Sequence, residues 1–129
     1  MTTVKFNKGI VYIDNKIVGN VKEHVFRQGT SSTPGTGTVV GNVKNDVIRA
    51  GLSSTLGTGS ILGNVKNEYV YRGSSSTPGT GTRVDKVSKF TIPGMERESD
   101  ADIVAAYHFF IKKIFIKANL IDHNLAVLS

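Results

Sequence analysis

Apolar and polar positions follow a strand-like rhythm over about the first 90 residues and a helix-like one after that. Ile10-Val11-Tyr12-Ile13 is a β-branched and aromatic run. Asp14-Asn15 follows it, and then Lys16-Ile17-Val18-Gly19-Asn20-Val21. Two such runs separated by two residues that tolerate positive φ predict a tight β-hairpin. The next stretch keeps this plan with a longer connection. His24-Val25-Phe26-Arg27 is a predicted strand, residues 28–37 a connection rich in Ser, Thr and Gly, and Thr38 to Lys44 a second strand. Asp46 to Arg49 and Ser60 to Lys66 match this position for position, with 50–59 between them. Glu68 to Arg72 and Thr82 to Val87 give a fourth pair, and Val4-Lys5-Phe6 a lead-in or edge strand.

Gly19-Asn20-Val21-Lys22 returns at 41–44 and at 63–66, each time 22 residues on and with no insertion. A period this strict means one small structural unit copied along the chain. The fourth copy has drifted, with Asp85 where the glycine stood, as expected where an array ends. A lone hairpin buries too little to be stable in water, whereas four can share an apolar face. Candidates for that face are Val21, Val43, Val65 and Val87; Phe26, Ile48 and Val70; and Val40, Leu62 and Val84. Glycine inside a strand marks a bulge, a bend or a close approach of another backbone, and close approach is what a symmetric centre demands.

Past Phe90 the rhythm changes. Pro93-Gly94 breaks the β pattern, and 91–98 reads as a linker. Ser99 followed by Asp102 resembles a capping box. Ile103, Val104, Tyr107, Phe110, Ile111, Ile114 and Phe115 then fall on one stripe of an amphipathic helix expected over 99–118. Acids at its start and Lys112, Lys113 and Lys117 near its end suit the helix dipole. Residues 119–129 form an apolar tail expected to be buried. The predicted fold class is mostly β (α+β): four 22-residue hairpin repeats over 4–90 in a pseudo-symmetric array, then one long C-terminal helix, all in one domain.

Val11-Tyr12, the three Gly-Asn-Val signatures and Val70-Tyr71 give residues 9–88 a pattern that resembles the bacterial β-flower-type repeat domains, in which four short hairpins surround a pseudo-fourfold axis. The resemblance implies a repeat-built domain of unknown function and supplies no catalytic residues. The long Ser/Thr/Gly connections and the C-terminal helix depart from it. A stacked β-solenoid is the rival arrangement, and in either one the helix is a cap or a dimer seam.

Composition narrows the chemistry. The chain has 129 residues and no cysteine, which excludes disulfides, thiolate metal sites and cysteine nucleophiles. No apolar run reaches membrane-spanning length, and Met1 to Lys5 lack the order of a signal peptide, so a cytoplasmic protein is expected. The net charge is +6, and it is uneven: residues 1–90 hold 12 Lys and Arg against 5 Asp and Glu, whereas 91–129 hold 4 against 5. A basic array can serve as a polyanion-binding face or simply as a solvated surface.

Within that array Lys22, Lys44 and Lys66 are equivalent, as are Arg27 and Arg49, with Arg72 one position off. Symmetry would turn these into rings or rows usable against phosphates, with Tyr12, Tyr69 and Tyr71 able to add stacking. Glu23, Asp46 and Glu68 stand close enough to neutralise part of them. The Ser/Thr/Gly connections suggest phosphate cradles, yet they lack the Lys-Ser/Thr and the following helix of a nucleotide-binding loop. Pro-Gly in two of them fits a plain type II turn. Thr36/Thr38 and Thr80/Thr82 hint at a hydroxyl ladder, which Ser60 interrupts in the middle copy. His24, His108 and His123 have no partner at metal or triad spacing. The sequence therefore favours a non-enzymatic binding module without catalytic residue, metal or cofactor that assembles as a homo-oligomer through its C-terminal helix, with Ile103, Tyr107, Phe110, Ile111, Ile114 and Phe115 as the oligomer or cap stripe. Polyanion or nucleic-acid binding is the alternative, and an enzyme with an interface site a third possibility.

Overall fold

The computed structural model of this chain describes residues 2–115. They form a mostly β structure in which nine antiparallel strands make one sheet in sequence order. The strands are β1 (Val4–Asn7), β2 (Ile10–Ile13), β3 (Lys16–Lys22), β4 (Val25–Gln28), β5 (Thr38–Lys44), β6 (Val47–Ala50), β7 (Ser60–Lys66), β8 (Tyr69–Arg72) and β9 (Thr82–Lys86). The expected tight turn at Asp14-Asn15 has φ of 51° and 66°, the mirror-image turn whose twist matches the strands it joins. Glu23-His24, Asn45-Asp46 and Asn67-Glu68 adopt the same form. His24, Asp46 and Glu68, expected to begin strands, therefore stand in turns. β4, β6 and β8 pair with the signature strand on each side, once across such a turn and once across a long connection.

Each signature strand carries a bulge just before its glycine position. Val11 pairs with Gly19 and Tyr12 with Ile17, so Val18 is left over; Val40, Leu62 and Val84 are the corresponding extra residues. The carbonyls of Val18, Val40 and Leu62 accept hydrogen bonds of 3.0–3.1 Å from the N–H groups of Gly29, Gly51 and Gly73. An unpaired residue bends its strand and sharpens the twist, and here it turns the following glycine toward the core. A β-carbon on Gly19, Gly41 or Gly63 would collide with Phe110, Phe109 or Phe115 respectively, as well as with a neighbouring carbonyl.

Those rings come from the C-terminal segment. Ser99 caps helix α1 (Asp100–Ala106) by accepting from the Asp102 N–H at 3.2 Å. A wider π-type turn, Tyr107–Ile111, continues it, and Lys112 is extended at φ −156° and ψ 130°. The helical segment is thus 12 residues long, shorter than the helix expected over 99–118. The adjacent Phe109 and Phe110 on this turn each reach a glycine platform, Gly41 and Gly19. His108 then ends the helix: its Nδ1 accepts the N–H groups of Ile114 at 2.9 Å and Phe115 at 3.3 Å. Residues 116–118, the tail over 119–129 and His123 lie outside the described residues.

The equivalent valines Val21, Val43, Val65 and Val87 are buried, Phe26, Ile48 and Val70 are fully buried, and Val40, Leu62 and Val84 pack half-buried against them. Ile103 and Phe115 are buried in the same core, with Tyr107, Phe110, Ile111 and Ile114 packed on it. The expected linker contributes too: Ile92 and Met95 are buried, and the Pro93 carbonyl accepts the Phe6 N–H at 2.8 Å, covering the outer edge of β1. No described helix is long and apolar enough to cross a membrane.

The long connections are held by one device. Asn20, Asn42 and Asn64, each fully buried, donate to the carbonyls of Thr36, Thr58 and Thr80 at 2.8–3.0 Å. The same three side chains accept the N–H groups of Gly35, Gly57 and Gly79 at 2.7–3.0 Å. Replacing Asn42 by Ala strands a donor and an acceptor inside the fold and is expected to cost about 2–4 kcal/mol. Equilibrium urea unfolding measures this, and a loss below about 1 kcal/mol would show that water substitutes for the amide.

A second expectation concerns His108. Burial, with the Lys113 ammonium as a lesser cause, pushes its imidazole down from 6.5 to about 4. The unfolded chain then binds the extra proton first as pH drops. Stability is complete above about pH 6.5 and falls toward pH 4, by on the order of 2–3 kcal/mol in all. His108→Gln should flatten that slope, and an unchanged slope in the variant would assign it to other groups.

Candidate functional site

Lys22, Lys44 and Lys66 close β3, β5 and β7, and all three are exposed. Each stem lies across the loop glycine that the neighbouring asparagine anchors. A β-carbon placed on Gly35, Gly57 or Gly79 would stand 3.0, 3.1 or 2.8 Å from the corresponding lysine Cδ. The anchored loop thus packs against each lysine stem.

Arg27 and Arg49 pair across the strands with Asn20 and Asn42, so each arginine comes to the same loop. At Gly57 two cations converge: Lys44 Nζ lies 3.7 Å and Arg49 Nη1 4.0 Å from the point where a β-carbon would sit. Two clefts of one design result. The first, about 290 Å³, is lined by Lys22, Glu23, Val25, Arg27, Gly35 and Ser54. The second, about 230 Å³, is lined by Lys44, Asn45, Val47, Arg49, Gly57 and Ser76. The final wall in each case is a serine of the next loop along the chain. Among the described residues no carboxylate lies within ion-pair distance of Lys22, Arg27, Lys44 or Arg49. Glu23 borders the first cleft, whereas the neutral Asn45 takes its place in the second.

The remaining two cations of the predicted rows go elsewhere. Tyr71, not Arg72, pairs with Asn64, so the third unit puts a phenol where the others put a guanidinium. Lys66 faces a cleft of about 540 Å³ that includes Asp46 and Asp100, a mixed rather than basic setting. The expected rows thus become two matched cation pairs.

The Ser/Thr/Gly loops do not cradle an anion with their own backbone at the anchored glycines, because those N–H groups already bond the asparagines. The Thr33, Thr55 and Thr77 N–H groups take the Ser31, Ser53 and Ser75 hydroxyls at 3.0–3.1 Å. The Thr36, Thr58 and Thr80 hydroxyls donate to the Thr33, Thr55 and Thr77 carbonyls at 2.6–2.7 Å, so one donor of each ladder pair is already engaged within its loop. Gly35 at φ 93° and Gly79 at φ 90° follow proline as a type II turn requires. Tyr12 and Tyr69 lie under Lys5 Nζ at 5.2 Å and Arg83 at 4.7 Å, outside both basic clefts.

His24 does have a partner, Asp102, 78 residues away in the chain. Its Nδ1 lies 2.7 Å from Asp102 Oδ2, with the imidazole 54% exposed and the carboxylate 3%. The other oxygen of Asp102 is buried without a hydrogen-bond partner. His24 borders a third cleft of about 330 Å³ with Val43, Lys44, Asn45, Asp46, Leu56 and Ser99, so Lys44 and Asn45 belong to two clefts at once. Sequence spacing held no sign of this pair. The anchoring role of the signature asparagines was also missed, although a signal existed: the asparagine recurs only where a Ser/Thr/Gly loop follows, and Lys86 stands in its place where none does. Comparison with protein-family models, with curated proteins and with solved structures found no match.

Proposed function

We propose that this chain is a non-enzymatic binding module that takes polyanions through the Lys22–Arg27 and Lys44–Arg49 clefts. One observation supports this above the others: Lys44 and Arg49 approach one point on Gly57, with no described carboxylate close enough to pair with them. Holding like charges together costs free energy unless an anion is drawn between them. Serine hydroxyls at the cleft wall and a planar guanidinium beside a compact ammonium suit the tetrahedral oxygens of phosphate or sulfate. The recurrence of the design 22 residues on suits a ligand with repeating charge.

Among the described residues Leu52, 81% exposed, is the one large apolar side chain left in solvent, so the surface offers charge more than apolar area. The β-flower-like arrangement of four pseudo-symmetric units belongs to the same proposal. It is supported by the threefold recurrence of the asparagine anchor and of the glycine platform. The stripe Ile103, Tyr107, Phe110, Ile111, Ile114 and Phe115 packs on the chain's own core, which favours a cap over a dimer seam. Self-association would use another surface.

Long-chain polyphosphate titrated by calorimetry at several salt concentrations tests the reading. The logarithm of the association constant should fall linearly with the logarithm of salt concentration. An Arg27→Gln/Arg49→Gln double variant should lower that slope by about 2, while Lys16→Gln, outside the clefts, should leave binding nearly unchanged. Absence of binding at low salt, or equal weakening by Lys16→Gln, would sink the proposal.

A further inference from the structure

We infer that the cleft bordered by His24 is a proton-gated extension of the polyanion site, admitting further phosphate or sulfate groups of the same ligand only when His24 carries a proton. This rests on the polyanion reading of the neighbouring clefts and adds to it a control that they lack.

The argument starts from continuity. Lys44 and Asn45 line both the second basic cleft and the cleft of His24, so a chain molecule seated on Lys44 and Arg49 has the His24 cleft as its next stop. The charges facing His24 are few. Asp102 from the helix start holds its Nδ1, Lys44 comes from the end of β5, and Asp46 from the turn after it. Glu23, which precedes His24 in its own turn, borders the first cleft, and Asp100, beside Ser99 at the helix start, borders the cleft of Lys66. With a neutral imidazole, Lys44, Asp46 and Asp102 sum to one net negative charge, and the free ring nitrogen Nε2 presents a lone pair. Both repel an anion. A proton on Nε2 cancels that charge and turns the lone pair into a charge-assisted donor.

The buried pair makes the exchange specific. With Nδ1 bonded to Asp102 Oδ2, Nε2 is the ring nitrogen left to accept a second proton. Asp102 Oδ1 has no hydrogen-bond partner, so among the described residues His24 is the one side chain bonded to this carboxylate. Asp46 and Glu68, at φ of 64° and 71°, occupy the equivalent sites of the next units, where His24 has φ 67°. Those two acids cannot become donors of positive charge, so only one of three equivalent positions can switch. Histidine is the side chain whose charge changes between mildly acidic and neutral conditions.

Calorimetric titration with long-chain polyphosphate, whose internal phosphates keep their charge, should be run between about pH 5.5 and 8 at fixed salt on the intact chain. Affinity should rise as pH falls, by at most about tenfold per pH unit because one proton is coupled. His24→Asn keeps a residue suited to positive φ and should bind with an affinity independent of pH, close to that of the native chain at the alkaline end. Asp102→Asn removes the negative charge while leaving an acceptor for Nδ1–H, and should tighten binding at the alkaline end. A native chain that binds with no pH dependence, or a His24→Asn variant that keeps the full dependence, overturns the gate and leaves the basic clefts standing. A native chain that fails to bind at any pH overturns both.

Discussion

The buried amide of the signature asparagine is the interaction on which the rest depends. A loop of nine residues between two strands has no reason of its own to lie down on a sheet, and closing it costs entropy. Asn20, Asn42 and Asn64 meet that cost by satisfying one loop donor and one loop acceptor each inside the fold. Because the amide is fully buried, water competes poorly for those bonds, and a mismatch there would be expensive. The lysine two positions on is then pressed between its own strand and the anchored glycine. In the second unit Arg49, opposite Asn42, reaches the same glycine. The position of the charges therefore follows from an uncharged side chain.

A second constraint sits on the other side of the same strands. The bulge residue before each signature glycine sends its carbonyl to the next loop and turns the glycine inward. The missing β-carbon becomes a seat for an aromatic ring. Val18, Val40 and Leu62 thus connect the loop side of the sheet to the helix side, and asparagine and glycine, adjacent in sequence, serve opposite faces. Strand alternation alone puts neighbours on opposite faces; here both faces have a partner that cannot be moved without disturbing the other.

Much of this was legible. β-Branched and aromatic runs between turn signals mark each strand of the described residues, the 22-residue period groups the buried valines and the Phe26, Ile48 and Val70 set correctly, and the glycines are points of close approach, to aromatic rings as well as to the expected backbone. What escaped has physical reasons. Glu23-His24 is poor turn chemistry by composition, so a strand seemed to start at His24; only the asparagines of the later copies mark the mirror-image turn. The helix was overextended because Ile114 and Phe115 keep a helical spacing from Phe110 and Ile111 although the chain is already extended at Lys112. An apolar residue signals burial whichever backbone delivers it. Arg72 was grouped with Arg27 and Arg49 by charge, whereas register put Tyr71 in their place. The His24–Asp102 contact joins a turn to a distant helix start, and nothing local in either segment foretells it.

The rings seated on glycine set a limit on growth. Phe110, Phe109 and Phe115 fill the seats at Gly19, Gly41 and Gly63, and at the fourth position the exposed Asp85 replaces the glycine, so no seat forms there. Plugs and sockets are therefore matched in number. A duplicated unit would bring its own anchor, bulge and cation pair, and its loop would lie down as the others do. It would also bring a fourth empty socket with no ring to fill it, leaving a void in a core that tolerates few. The helical segment thus acts as a gauge of array length: units can be copied freely by recombination, but each additional copy needs a new aromatic residue elsewhere in the chain before it is neutral.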